Sequence, residues 1–244
     1  MAKACGGIAF ALFVHLWWRS SGGVGAGPFW VHLTVGPAVA WDLALLTFFF
    51  AAHSGFASLW FKRQLAWPPQ ATRRLYMVLT LPVTAILWAG WAPLVQPALW
   101  DARGSLTIFF LFLAVRLVAL AGLIWTVRSF SLPDFFGDAL VGGEGAAGGQ
   151  LAAPDARPRT LTVRGSFALC RHPLYFFMIL MAAASAFMPL GRALMAGALL
   201  VYVAIGSRLE ERKLEADFGA DYTRYRAHTP WLIPTIASIT RALR

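Results

Sequence analysis

Six apolar stretches constrain this chain more than any other feature. They cover residues 4–18, 33–53, 76–98, 106–127, 174–190 and 191–206. A helix needs about 17–25 mostly apolar residues to cross a bilayer, and a soluble single core has no room for six such stretches. Composition agrees: 59% of the residues are hydrophobic and 13% charged, against about 45–50% and 25% in an ordinary soluble domain. The expected fold is all-α, a polytopic integral membrane protein of about six transmembrane helices, with a C-terminal helical hairpin and cytoplasmic C-terminal helices. The first stretch is short and follows Lys3, as in a signal peptide. His15 and the Trp17–Trp18 pair are unlike a cleavage region and favour a retained helix. Pro189-Leu190-Gly191 leaves almost no loop between the last two stretches, which therefore read as a tight hairpin.

The net charge of +10 would suggest nucleic acid in a polar protein. Here the positive-inside rule accounts for it. With Lys3, the 61–75 and 128–171 connections and the C-terminal segment in the cytoplasm, 17 of the 21 Lys and Arg residues lie on that side. Arg19, Arg103 and Arg192 lie opposite, and Arg116 falls within a span. Both termini are thus expected inside, and no basic stripe remains for nucleic acid. Most tryptophans fall near span ends, where interfacial anchoring explains them. Three regions follow: an N-terminal four-helix membrane region (1–130), a cytoplasmic Gly/Ala-rich connection (131–170), and the hairpin with its cytoplasmic segment (171–244). Cys5 and Cys170 form neither a metal spacing nor a disulfide framework.

Two charges stand inside spans. Asp42 and Arg116 fall at similar depth in the second and fourth stretches. Each would cost about 2.5–3.5 kcal/mol alone, so the two are expected to pair or to line a polar cavity. His53-Ser54 closes the second stretch at the cytoplasmic side. His15 and His32 read as packing or interfacial residues.

The cytoplasmic C-terminal third concentrates the chemistry. Arg171-His172-Pro173-Leu174-Tyr175 precedes the fifth stretch. Pro173 suits the first turn of a helix, placing Arg171 and His172 at an N-terminus that favours anions. After the sixth stretch, Glu210 and Glu211 lie on a helix that should project beyond the bilayer, with Gly219 as its C-cap. A second helix at about 220–227 carries Tyr222, Tyr225 and Arg226 on one face by 3/4 spacing. The hairpin brings 171–175 and 207–217 to one end. Arg171, His172, Tyr175, Glu210 and Glu211 therefore cluster, offering groups for an anion, groups for a cation and an aromatic face. A charge-paired amphipathic helix would produce the same pattern.

Arg-His-Pro-x-Tyr, the hairpin, Glu-Glu-x-x-Leu, Phe-Gly-x-x-Tyr-x-x-Tyr and two following prolines resemble the membrane-embedded methyltransferases over about 164–234. That superfamily includes isoprenylcysteine carboxyl, phospholipid and methanethiol S-methyltransferases. Asp42, His53-Ser54, Phe61-Lys62 and the 129–137 segment extend the resemblance towards the methanethiol S-methyltransferase and NnrU-like branch. The resemblance implies S-adenosylmethionine at the cytoplasmic mouth of the hairpin, with no metal. His172 and Tyr175 would contact it, and Glu211, with Glu210 as the alternative, would serve its cationic groups. Tyr222, Tyr225 and Arg226 would close the site. Arg171 would orient the acceptor or a carboxylate, with His53 a second contact in catalysis. The implied acceptor is a small thiol or another lipophilic molecule arriving from the bilayer. An isoprenylcysteine-type carboxyl methyltransferase is the alternative within the superfamily. An NnrU-like haem-binding isomerase or nitrogen-oxide accessory protein, with His53 or His172 on iron, is another, and a membrane scaffold a third. Phe177 stands where the family often has Gly, which is expected to narrow the pocket, and the 137–160 segment is long. High Ala, Gly and Arg usage suggests a bacterial inner membrane.

Overall fold

The protein is described here from a computed structural model covering residues 2–19, 33–129, 161 and 163–243. His32, most of the 19–30 connection and the Gly/Ala-rich segment lie outside the described residues. The described elements are α1 (Ala2–Arg19), α2 (Val35–Ala57), α3 (Leu59–Leu65), α4 (Pro69–Gly90), β1 (Ala98–Asp101), α5 (Leu106–Arg128), α6 (Ser166–Leu169), α7 (Pro173–Ala183), β2 (Phe187–Pro189), α8 (Leu190–Phe218), α9 (Ala220–His228) and α10 (Ile236–Ala242). Three of them, α2, α5 and α8, are long and apolar enough to cross a membrane. The other three expected spans take different forms. The apolar part of α1 is Ala4–Trp17. Helix α4 ends at Gly90, earlier than the 76–98 stretch suggested, and residues 91–97 continue without helix.

The residues divide into two units, 1–110 with 185–199 and 111–184 with 200–244. In the first, Leu16, Leu45, Leu46, Phe49, Val83, Leu87, Trp91 and Met195 form the core. Asp42 is fully buried, and its Oδ1 accepts from the Ala92 N–H at 2.9 Å. His15 accepts from the Trp88 indole at 2.9 Å. Strands β1 and β2 pair antiparallel, Trp100 opposite Met188. The Trp100 indole donates to the Ser185 carbonyl at 2.8 Å. Arg192, also buried, donates to the Ser185 hydroxyl at 2.7 Å, with its guanidinium 5.3 Å from the centre of the Trp17 ring.

In the second unit, α7 has 11 residues, about 16 Å at 1.5 Å per residue. That is half the hydrocarbon thickness of about 30 Å. The 174–190 stretch is therefore not one continuous helix. Helix α7 stops at Ala183, and the Arg116 guanidinium takes the carbonyl of Ala184. Past that point Ala184, Ser185, Phe187, Met188 and Pro189 are all buried, so this non-helical backbone is covered by protein. Helix α8, with 29 residues, is about 43 Å long, so its charged end projects beyond an apolar slab of that thickness. Gly219, at φ +52°, then turns the chain into α9.

Candidate active site

All the C-terminal residues singled out in the sequence belong to the second unit, and most meet around the start of α7. Pro173 is its first residue and His172 its N-cap. The N–H groups of Arg171 and His172 donate to the carbonyls of Pro230 and Trp231, at 2.9 and 3.2 Å. The 229–232 segment is thereby laid alongside the motif, and the Trp231 indole reaches the Ser207 hydroxyl on α8 at 3.1 Å.

Arg171 spends its donors on protein. Its Nε donates to Glu211 at 2.7 Å, and Nη1 donates to the carbonyls of Arg226 and Thr229 at 3.1 and 2.9 Å. One side chain thus joins α7, α8 and the end of α9. Both members of the ion pair are largely buried, at 13% and 14% exposure. Glu211 also lies 3.1 Å from His172 Nε2. Glu210 faces differently. It accepts from the Tyr175 hydroxyl at 3.4 Å and lies 3.7 Å from His172 Nδ1. The imidazole and the Tyr175 ring stack, centroids 5.5 Å apart and 14° from parallel. Burial pushes the Glu210 carboxyl above the ordinary range; His172, Tyr175 and Lys213 oppose the shift, and Glu211 reinforces it.

On α9, the Tyr222 and Tyr225 rings lie 6.0 Å apart. The Tyr225 hydroxyl donates to the Phe167 carbonyl at 2.8 Å. Burial raises both phenols and holds the Cys170 thiol up at about 12. Arg226 turns to Glu215 at 3.2 Å, half exposed. Phe177 does not line this cluster: its buried ring lies against Gly122 of α5. Glu215, Ser207 and the carbonyls of Phe167, Thr229, Pro230 and Trp231 were not singled out from the sequence.

His53 belongs to the first unit. Tyr76 hydrogen-bonds its Nε2 at 2.8 Å, Phe49 stacks on it at 5.6 Å, and the Arg73 guanidinium lies 5.5 Å from the centre of the Tyr76 ring.

The second-unit cluster suits a ligand that is cationic at one point and polar elsewhere. Glu210 supplies a carboxylate beside a stacked pair of rings, and aromatic faces attract cations. The Tyr222 hydroxyl is fully buried with no hydrogen-bond partner among the described residues. A buried hydroxyl without a partner costs about 1–3 kcal/mol, which a bound polar ligand would offset.

Several known methyltransferases are similar to this chain. The chain is 29% identical to methanethiol S-methyltransferase 2 of Bradyrhizobium diazoefficiens over 211 residues, covering 83% of this chain and 75% of that one. It is 28% identical to the methanethiol S-methyltransferase of a Pseudomonas strain, GM41(2012), over 82% and 76% of the two chains. With that of Pseudomonas deceptionensis the identity is 27%, over 82% and 77%. No protein-family model matches the chain, and neither does any solved structure.

Proposed function

We propose that this chain, similar over most of its length to methanethiol S-methyltransferases, is an integral membrane enzyme that transfers a methyl group from S-adenosylmethionine to a small thiol. What supports the reading is Glu210 beside the His172–Tyr175 stack, together with a buried Tyr222 hydroxyl that has no hydrogen-bond partner among the described residues, in a chain with these relatives. When bound, S-adenosylmethionine supplies a methyl carbon made electrophilic by its sulfonium. Glu210 and the stacked rings hold the cationic end, and Tyr222 binds a polar atom of the donor. Glu211 and Arg171 act by position, since their bonds fix His172 and the end of α9. Tyr225 and Arg226 hold α9 in place over the site. Methyl transfer is an in-line displacement, so alignment and exclusion of water supply most of the acceleration. We assign the acceptor contact to His53. Its loss should lower turnover while donor affinity stays constant.

The further topology we propose is six crossings of a bacterial inner membrane with both termini cytoplasmic, supported by the distribution of Lys and Arg. The 171–244 segment binds the donor. Purified protein in liposomes, given S-adenosylmethionine and methanethiol, should release dimethyl sulfide into the headspace. Donor binding without methylation of methanethiol or longer alkanethiols would overturn the thiol assignment.

A further inference from the structure

Helix α10 is built inside out for water. Its inward face carries Ser238, fully buried, and half-buried Ala242. Outward stand Ile236 at 86% exposure, Ile239 at 42% and Leu243 at 80%, with Ile233 at 76% just before the helix. Positions 236, 239 and 243 lie within one narrow arc at 100° per residue, and position 238 lies opposite. A helix packed on a soluble body turns its apolar stripe inward; this one reverses the rule. The reversal is not a fraying end, because Thr235 and Ser238 form a complete capping box.

Two further observations say what covers the stripe. The Trp231–Ser207 hydrogen bond ties the start of this segment to α8. Ser207 sits between the outward-facing Val201 and Ile205 and the outward-facing Leu209, so it lies where α8 passes from apolar to charged sequence. The segment therefore begins at the level of the membrane boundary. Exposed cations also flank it, Arg208 on α8 and Arg241 on α10, matching an anionic headgroup layer.

We propose that α10 is an interfacial helix, lying in the plane of the membrane with Ile233, Ile236, Ile239 and Leu243 inserted among the lipids. This goes beyond the methyl-transfer reading and does not depend on it.

The test is spin-label accessibility in vesicles of phosphatidylethanolamine and phosphatidylglycerol. Nitroxides are attached at Ile236→Cys and Ile239→Cys, in full-length protein with Cys5 and Cys170 replaced by Ala. Arg224→Cys, on an exposed stretch of α9, serves as a reference. Because both test positions are exposed, monodisperse elution in detergent should be retained. A label at Ile233→Cys supplies a second reading where one variant elutes poorly. The proposal predicts collision with oxygen several-fold above collision with a water-soluble nickel chelate at 236 and 239. Nickel-dominated collision would place the stripe in water and overturn it. Low collision with both reagents would place the stripe against protein, such as a second copy, and would overturn it equally.

Discussion

Gly122 and Phe177 offer the sharpest test of how packing supports the site. A Cβ built on Gly122 would overlap the Cδ1, Cε1 and Cζ atoms of the Phe177 ring. That ring is 5% exposed and sits on α7, two residues beyond Tyr175. Relief requires roughly an ångström of movement in a close-packed region, and overpacking of this kind costs about 1–3 kcal/mol. For a chain of this size each kcal/mol lowers Tm by about 2–4 °C. Gly122→Ala should therefore melt several degrees below wild type in detergent, followed by tryptophan fluorescence. Because the displaced ring shares a helix with Tyr175, the same variant should also bind S-adenosylmethionine more weakly. Phe177→Leu alone should destabilise by leaving part of the space unfilled. Combined, the two changes should be less harmful than their sum, with a coupling of about 0.5–3 kcal/mol. Wild-type melting of Gly122→Ala, or strict additivity of the pair, would refute the reasoning.

Three further predictions concern the site. The Glu210 carboxyl is held above its ordinary range by burial, so its ionisation works against the folded state, and that deficit disappears as pH falls through its folded-state pKa. Donor binding runs the other way, because a cation needs the charged form: calorimetry should show affinity falling over that range, while Glu210→Gln binds roughly ten- to hundredfold more weakly, as expected for losing a charged contact of about 1.5–3 kcal/mol, and shows a flatter pH profile. Tyr222→Phe should leave the melting temperature of the ligand-free protein unchanged or raise it, since the hydroxyl has no partner among the described residues, yet weaken donor binding in the same titration. Arg171→Ala should destabilise the protein by about 3–5 kcal/mol, as for a broken buried pair, with Arg171→Lys recovering only part of the loss because it lacks the guanidinium fork.

Much of the site was legible in the sequence for local reasons. Pro173 can begin a helix and Gly219 can end one, and both hold in the structure. Glu211 does return to Arg171, but the expected tight hairpin does not hold as two continuous helices, because the first stops at Ala183. The distinction between the two glutamates was not legible. Glu211 serves as anchor to Arg171, whose other partners are backbone carbonyls at positions 226 and 229, and side-chain patterns do not reveal carbonyls. The end of α7 at Ala183 was hidden as well. The chain there gives up helical bonds for pairing between β2 and a strand at 98–101, a long-range exchange with no local signal. Phe177 looked like a pocket residue by its place in the motif, but its direction depends on a glycine 55 positions away. Asp42 and Arg116 were expected to pair or to line a polar cavity; the Ala92 N–H meets Oδ1 of Asp42 while Oδ2 is buried with no partner among the described residues, and the Ala184 carbonyl meets Arg116.

The central claim is that the 171–226 cluster binds a cationic methyl donor through Glu210 and the His172–Tyr175 stack. Isothermal titration of S-adenosylmethionine into detergent-purified protein tests it most directly, with wild type, His172→Ala and Glu210→Gln compared at one pH. The account predicts saturable binding by wild type and a marked loss in both folded variants. Folded wild type that takes up no donor, or variants that bind as tightly as wild type, would contradict it.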